Sequence, residues 1–126
     1  MTLLRINHVQ LAIPPNREGD ARRFYTDLLG LRVIPKPAPL RAGGGVWFQI
    51  GDLQLHLGVE DDFRPARKAH VAFEVADLAA ISTRCVAAGH IPRPNTVVGG
   101  LRRCFLDDPF GNRLELMEPT DVRADR

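Results

Sequence analysis

The sequence predicts an α+β chain built from two tandem modules, each a strand, a helix and three further strands. Three observations carry that expectation: the order of periodic segments, an internal repeat, and glycine and proline punctuation at matching places in both halves. HVQLAI at 8–13 resembles HVAFEV at 70–75, and LHL at 55–57 resembles LEL at 114–116. Module one is expected over about 4–60, a linker over 61–68 and module two over about 69–119 of a single domain.

Taken in order, residues 5–13 alternate as a strand. Ile6, His8, Gln10 and Ala12 lie on one face, with Asn7, Val9, Leu11 and Ile13 on the other. Pro14 and Pro15 close the strand. A helix is predicted from Asp20 to Leu29, with Ala21, Phe24, Leu28 and Leu29 as its apolar stripe and Gly30 as its stop. Leu31 to Ile34 reads as a short strand before Pro35, Pro37 and Pro39. After Gly43 to Gly45 come VWFQI (46–50) and LQLHLGV (53–59), joined by a Gly51-Asp52 hairpin signal.

The charged stretch from Glu60 to Lys68 contains Pro65 and reads as a linker. HVAFEV is the next strand, Leu78 to Ala88 a helix closed by Gly89, and HIPRP a short extended piece. A Gly99-Gly100 turn leads to two strands, CFLDD and NRLELME, around Pro109-Phe110-Gly111. The polar tail after Pro119 is expected to fray.

Composition narrows the function classes. The chain has 126 residues, 44% hydrophobic and 25% charged, which suits one globular unit and not a disordered chain. The formal net charge is +2 with dispersed basic residues, so nothing calls for nucleic acid as a partner. Apolar runs are far shorter than the ~20 residues that span a bilayer, and no secretory leader pattern opens the chain. A cytoplasmic location without membrane association is the expectation. The two cysteines, Cys85 and Cys104, lie in no CxxC or Cys-His cluster and read as buried free thiols.

Four side chains stand at paired places in the repeat. His8 and His70 open equivalent strands, while His56 and Glu115 sit in the middle of equivalent strands. If a pseudo-two-fold axis relates the modules, the four can converge from four strands. Three imidazoles and a carboxylate suit divalent Zn, Ni, Co, Fe or Mn and leave positions open for substrate. Gln54 shares a strand face with His56 and is the alternative fourth ligand, although the repeat sets His56 opposite Glu115. His90, directly after Gly89, reads as a helix-end residue outside the site. Arg41, Arg64, Arg67 and Lys68 are candidates for an anionic substrate or a solvated loop. Alternation lets only one of Arg102 and Arg103 face a cavity.

These stretches resemble the vicinal oxygen chelate superfamily, which includes glyoxalase I, fosfomycin-resistance, extradiol dioxygenase, methylmalonyl-CoA epimerase and bleomycin-resistance proteins. NHVQLAI, FYTDLLGLRVI, HVAFEV and DDPFGNRLELMEP carry the resemblance across residues 5–119. It implies two βαβββ modules forming curved mixed sheets around a divalent metal, with the ligands falling on His8, His56, His70 and Glu115. It also implies chelation of two neighbouring substrate oxygens, with enolate or oxyanion stabilisation and Glu115 as the candidate base. Glyoxalase-like relatives often carry a carboxylate where this chain has His56. Fosfomycin-type relatives typically have Thr where this chain has Gln10, and a Ser/Tyr-rich loop that is missing around 95–103.

The reading is therefore a metal-dependent lyase or isomerase acting on a small oxygen-rich molecule. The alternatives are a metal-free drug- or metabolite-binding dimer of the bleomycin-resistance kind and an extradiol-type dioxygenase. A homodimer is expected, because the apolar edge of a half-barrel is poorly covered in an isolated chain. The resemblance implies that His8 and His56 come from one chain, with His70 and Glu115 from its partner.

Overall fold

The computed structural model of the chain describes residues 2–94 and 102–119. The Gly99-Gly100 turn, the tail beyond Pro119 and most of the 95–103 stretch lie outside the described residues. Two compact units divide the chain, the first ending at Pro65 and the second beginning at Ala66. Each carries one mixed four-stranded sheet of the expected α+β kind.

In the first unit, β1 (His8–Ile13) runs parallel to β4 (Leu53–Val59), which pairs antiparallel with β3 (Val46–Ile50), and β3 with β2 (Arg32–Ile34). The order is β1-β4-β3-β2. The period of two sends Val46, Phe48, Leu55 and Leu57 into the core with Ile13. Their neighbours on β3 and β4, Trp47, Gln54 and His56, belong to the opposite face.

The first helix, α1, differs from the expected regular helix over Asp20–Leu29. It starts as one α-helical stretch, Glu18–Arg22, and continues as a π-helical stretch, Arg23–Leu28. The Leu29 N–H bonds the Phe24 carbonyl at 3.0 Å, a five-residue step. Phe24, Tyr25 and Leu28 are buried together, whereas Leu29 is only half-buried. Tyr25 lies 5.5 Å from Phe48 by ring centroids and takes the stripe position predicted for Leu29.

In the second unit, β5 (Val71–Glu74) runs parallel to β8 (Arg113–Met117). Next come β7 (Arg103–Asp107) and the two-residue β6 (Arg93–Pro94), in the order β5-β8-β7-β6. The helix α2 (Leu78–Ala87) begins at Asp77, whose side chain accepts from the Ala80 N–H at 3.0 Å. Leu78 and Cys85 of α2 are buried, as are Cys104, Leu106, Leu114 and Leu116 of β7 and β8. Both thiols are free, and burial pushes each above its ordinary pKa.

The turn between β7 and β8 explains the DPFGN stretch. The buried Asp108 carboxylate accepts from the backbone N–H groups of Phe110 (2.9 Å) and Asn112 (2.8 Å) and from the Asn112 side-chain amide (2.9 Å). Gly111 takes φ 95°, where a side chain would be strained. This motif is turn chemistry. It holds β8 in register with β7, and β8 carries Glu115. Among the described residues no helix is long and apolar enough to cross a membrane.

Candidate metal centre

Strand register puts the paired residues at equivalent places. In the first unit the partner of His56 on β1 is Gln10, two residues after His8. In the second unit the partner of Glu115 on β5 is Ala72, two residues after His70. The antiparallel side repeats the match, with Trp47 opposite His56 and Phe105 opposite Glu115. Gln54 stands one pleat earlier, opposite His8.

The first unit brings His8 and His56 together. Their rings stack with centroids 4.2 Å apart, and Trp47 stacks on His56 at 3.7 Å with only 2° between the planes. His56 is 5% exposed, and burial, helped by nearby His8 and Lys36, holds its imidazole below the usual pKa. The ring is therefore neutral near pH 7. His56 Nε2 lies 2.9 Å from Gln54 Oε1, so an Nε2–H donates to the amide oxygen. Nε2 becomes an electron-pair donor only when Gln54 gives way. His8 Nδ1 is 2.9 Å from Asn7 Oδ1, which accepts from it.

In the second unit His70 meets Glu115, with Nε2 and Oε1 2.9 Å apart. His70 Nδ1 sits 2.8 Å from the Lys68 carbonyl oxygen, which can only accept. That contact places a proton on Nδ1 and aims Nε2 at a carboxylate oxygen. Two electron-pair donors in such contact are stable only with a proton or a cation between them. Glu115 Oε2 accepts from Arg103 Nη1 at 3.0 Å. Burial raises the Glu115 pKa, but the bonds from His70 and Arg103 outweigh it, and the carboxyl lies below its ordinary value. Phe105 closes the side of His70 edge-on at 5.4 Å.

The donor set fits a divalent ion. Two donors at right angles on one ion, each at ~2.0–2.2 Å, are about 2.8–3.1 Å apart, which matches the His70–Glu115 separation. Histidine ligands commonly donate their other N–H to a carbonyl or amide oxygen, as His70 and His8 do. His8 with His56, and His70 with Glu115, are thus two pairs, one in each unit. Among the described residues no group of three or more His, Cys, Asp or Glu side chains is gathered for a metal. Of the two neighbouring arginines, Arg103 takes the Glu115 side, while Arg102 lies 3.7 Å from Glu118. Sequence reasoning had not linked Arg103 to Glu115. Pairing β7 with β8 in the correct register would have done so, since Phe105 opposite Glu115 puts Arg103 on the same face.

The comparisons agree with this architecture. Residues 5–116 match the Glyoxalase/Bleomycin resistance protein/Dioxygenase superfamily, and the chain belongs to that superfamily. Among solved structures, a glyoxalase family protein from Bacillus anthracis is 38% identical with a TM-score of 0.90, covering 95% of this chain and 98% of its own. Lactoylglutathione lyase from Agrobacterium tumefaciens is 23% identical with a TM-score of 0.72, covering 94% and 96%. The fosfomycin resistance protein FosX from Listeria monocytogenes is 17% identical with a TM-score of 0.76, covering 94% and 96%. At those last two identities the likeness speaks for the fold alone. No curated protein matches the chain in sequence.

Proposed function

We propose that the chain is a divalent-metal-dependent enzyme, a glyoxalase-like lyase or isomerase, acting on a small molecule with two neighbouring oxygens. His8, His56, His70 and Glu115 are its ligands, and Zn, Ni, Co, Fe or Mn suits this donor set. The observation that carries the reading is the His70–Glu115 pair, which sets an imidazole nitrogen and a carboxylate oxygen 2.9 Å apart while Nδ1 faces the Lys68 carbonyl. A bound ion would supply Lewis acidity, polarising both substrate oxygens and stabilising the oxyanion or enolate that develops.

The chain's own residues supply the rest. Glu115, kept ionised by His70 and Arg103, is in the form that a base requires. Trp47 and Phe105 flank the imidazoles with apolar surface, which limits water beside them. Each unit offers two donors, so a full set needs one unit of each kind. We assign these to the two chains of a homodimer.

A metal-free binding dimer is the second reading. It is favoured by the existing partners of both Glu115 oxygens and of His56 Nε2. Metal titration separates the two. The protein, stripped with chelator and dialysed, should take up about one divalent ion per chain. His8→Ala and His70→Ala should each weaken uptake by at least ~10-fold. A wild-type chain that takes up no Zn, Ni, Co, Fe or Mn would leave the binding dimer as the answer.

A further inference from the structure

The second unit contains a contact that ligation by Glu115 does not itself require. The Arg103 guanidinium holds Oε2 at 3.0 Å, while Oε1 faces His70 Nε2 at 2.9 Å. The carboxylate is 4% exposed, so its two oxygens are divided between two fixed partners inside the protein. A carboxylate can bind a metal through one oxygen or through both. With Oε2 accepting a charge-assisted hydrogen bond, only Oε1 is presented on the histidine side.

The other module has no such arginine. The backbone position matching Arg103 is Gly45, where an added Cβ would sit 2.2 Å from the Leu57 carbonyl oxygen. The matching donor there is an imidazole, which has one donor atom to offer and needs no such restraint.

We infer that Arg103 is a positioning residue that keeps Glu115 a one-oxygen ligand and so preserves two open positions for a chelating substrate. This rests on the metal-dependent reading above. Four ligands each giving one atom leave two of six octahedral positions free. A carboxylate binding through both oxygens leaves one, and a substrate with neighbouring oxygens can then attach through only one of them. Removing the guanidinium also removes a positive charge near the site, so metal affinity moves for two opposing reasons. Coordination number and chelation report the positioning role directly.

The test uses the dimer loaded with Co²⁺, with acetohydroxamate as a bidentate probe. Wild type, Arg103→Gln, Arg103→Lys and Arg102→Gln are compared by visible absorption and by probe titration, with melting curves to confirm folding. Arg103→Gln should lose intensity in the cobalt bands, as expected for a higher coordination number, and bind acetohydroxamate at least ~10-fold more weakly. Arg103→Lys, which keeps a donor for Oε2, should recover much of both, and Arg102→Gln should match wild type. A folded Arg103→Gln with the wild-type spectrum and probe affinity overturns the inference while metal dependence stands. Equal losses in Arg102→Gln overturn it as well, because they indicate a general charge effect. A wild-type chain that takes up no Co²⁺ overturns both.

Discussion

Trp47 is the only tryptophan of the chain, and it stacks on His56 at 3.7 Å. That contact turns the choice between His56 and Gln54 into an optical measurement. If His56 is the fourth ligand, Ni²⁺ or Co²⁺ bound there lies beside the indole and should quench its fluorescence saturably. His56→Gln should remove that quenching or shift it to at least ~10-fold higher metal concentration, and Gln54→Ala should keep it. The reverse pattern would hand the position to Gln54. At this scale much of the candidate site was legible in the sequence. Pairing His8 with His70 and His56 with Glu115 needed only the repeat, and the parallel registers of β1/β4 and β5/β8 place them equivalently. Less legible were the partners of those side chains. The Lys68 carbonyl, Asn7 and Gln54 act through proton placement, and single-residue patterns carry no mark of that.

Among the elements, the loop leading into β3 is tightly constrained, and it supports the strand that carries Trp47. Gly45 has φ +89°, and an added Cβ would stand 2.2 Å from the Leu57 carbonyl oxygen. Gly45→Ala should therefore cost at least ~1–3 kcal/mol of stability, read from the denaturant midpoint. An unchanged midpoint would show that the loop can shift freely. The Gly45 N–H donates to Glu18 Oε2 at 2.9 Å, tying α1 to this loop. That bond is the main reason the Glu18 carboxyl lies below its ordinary pKa. The unfolded chain holds the proton more tightly, so Glu18 adds stability above its ordinary unfolded pKa. This contribution is lost as pH falls through the lower folded value. Glu18→Gln should flatten the acid limb of stability against pH in metal-free protein. A limb that superimposes on wild type would remove Glu18 from the account. Strand boundaries here followed alternation and hairpin glycines closely. The winding of α1 did not, because Ala21, Phe24 and Leu28 satisfy either helical period.

At the scale of the whole molecule, the repeated order β1-β4-β3-β2 and β5-β8-β7-β6 makes β1 and β5 outer strands of their own sheets. Just before β1, Leu3 and Leu4 are 81% and 87% exposed, a run of apolar surface that a second chain can cover. Sedimentation at micromolar concentration should give a dimer, and a monomer would end the shared-site assignment. Co-expression of His8→Ala with Glu115→Ala chains tests the sharing itself. Donor pairs contributed by different chains give heterodimers one intact metal site, whereas sites within one chain leave both damaged. The proposed function requires that His8, His56, His70 and Glu115 hold one divalent ion between them. Anomalous diffraction from crystals of the Co²⁺-loaded protein tests it most directly. One peak per chain is expected, within about 2.0–2.3 Å of the imidazole nitrogens and of Glu115 Oε1. A peak bound elsewhere, or none touching His8, His70 and Glu115 together, would contradict it.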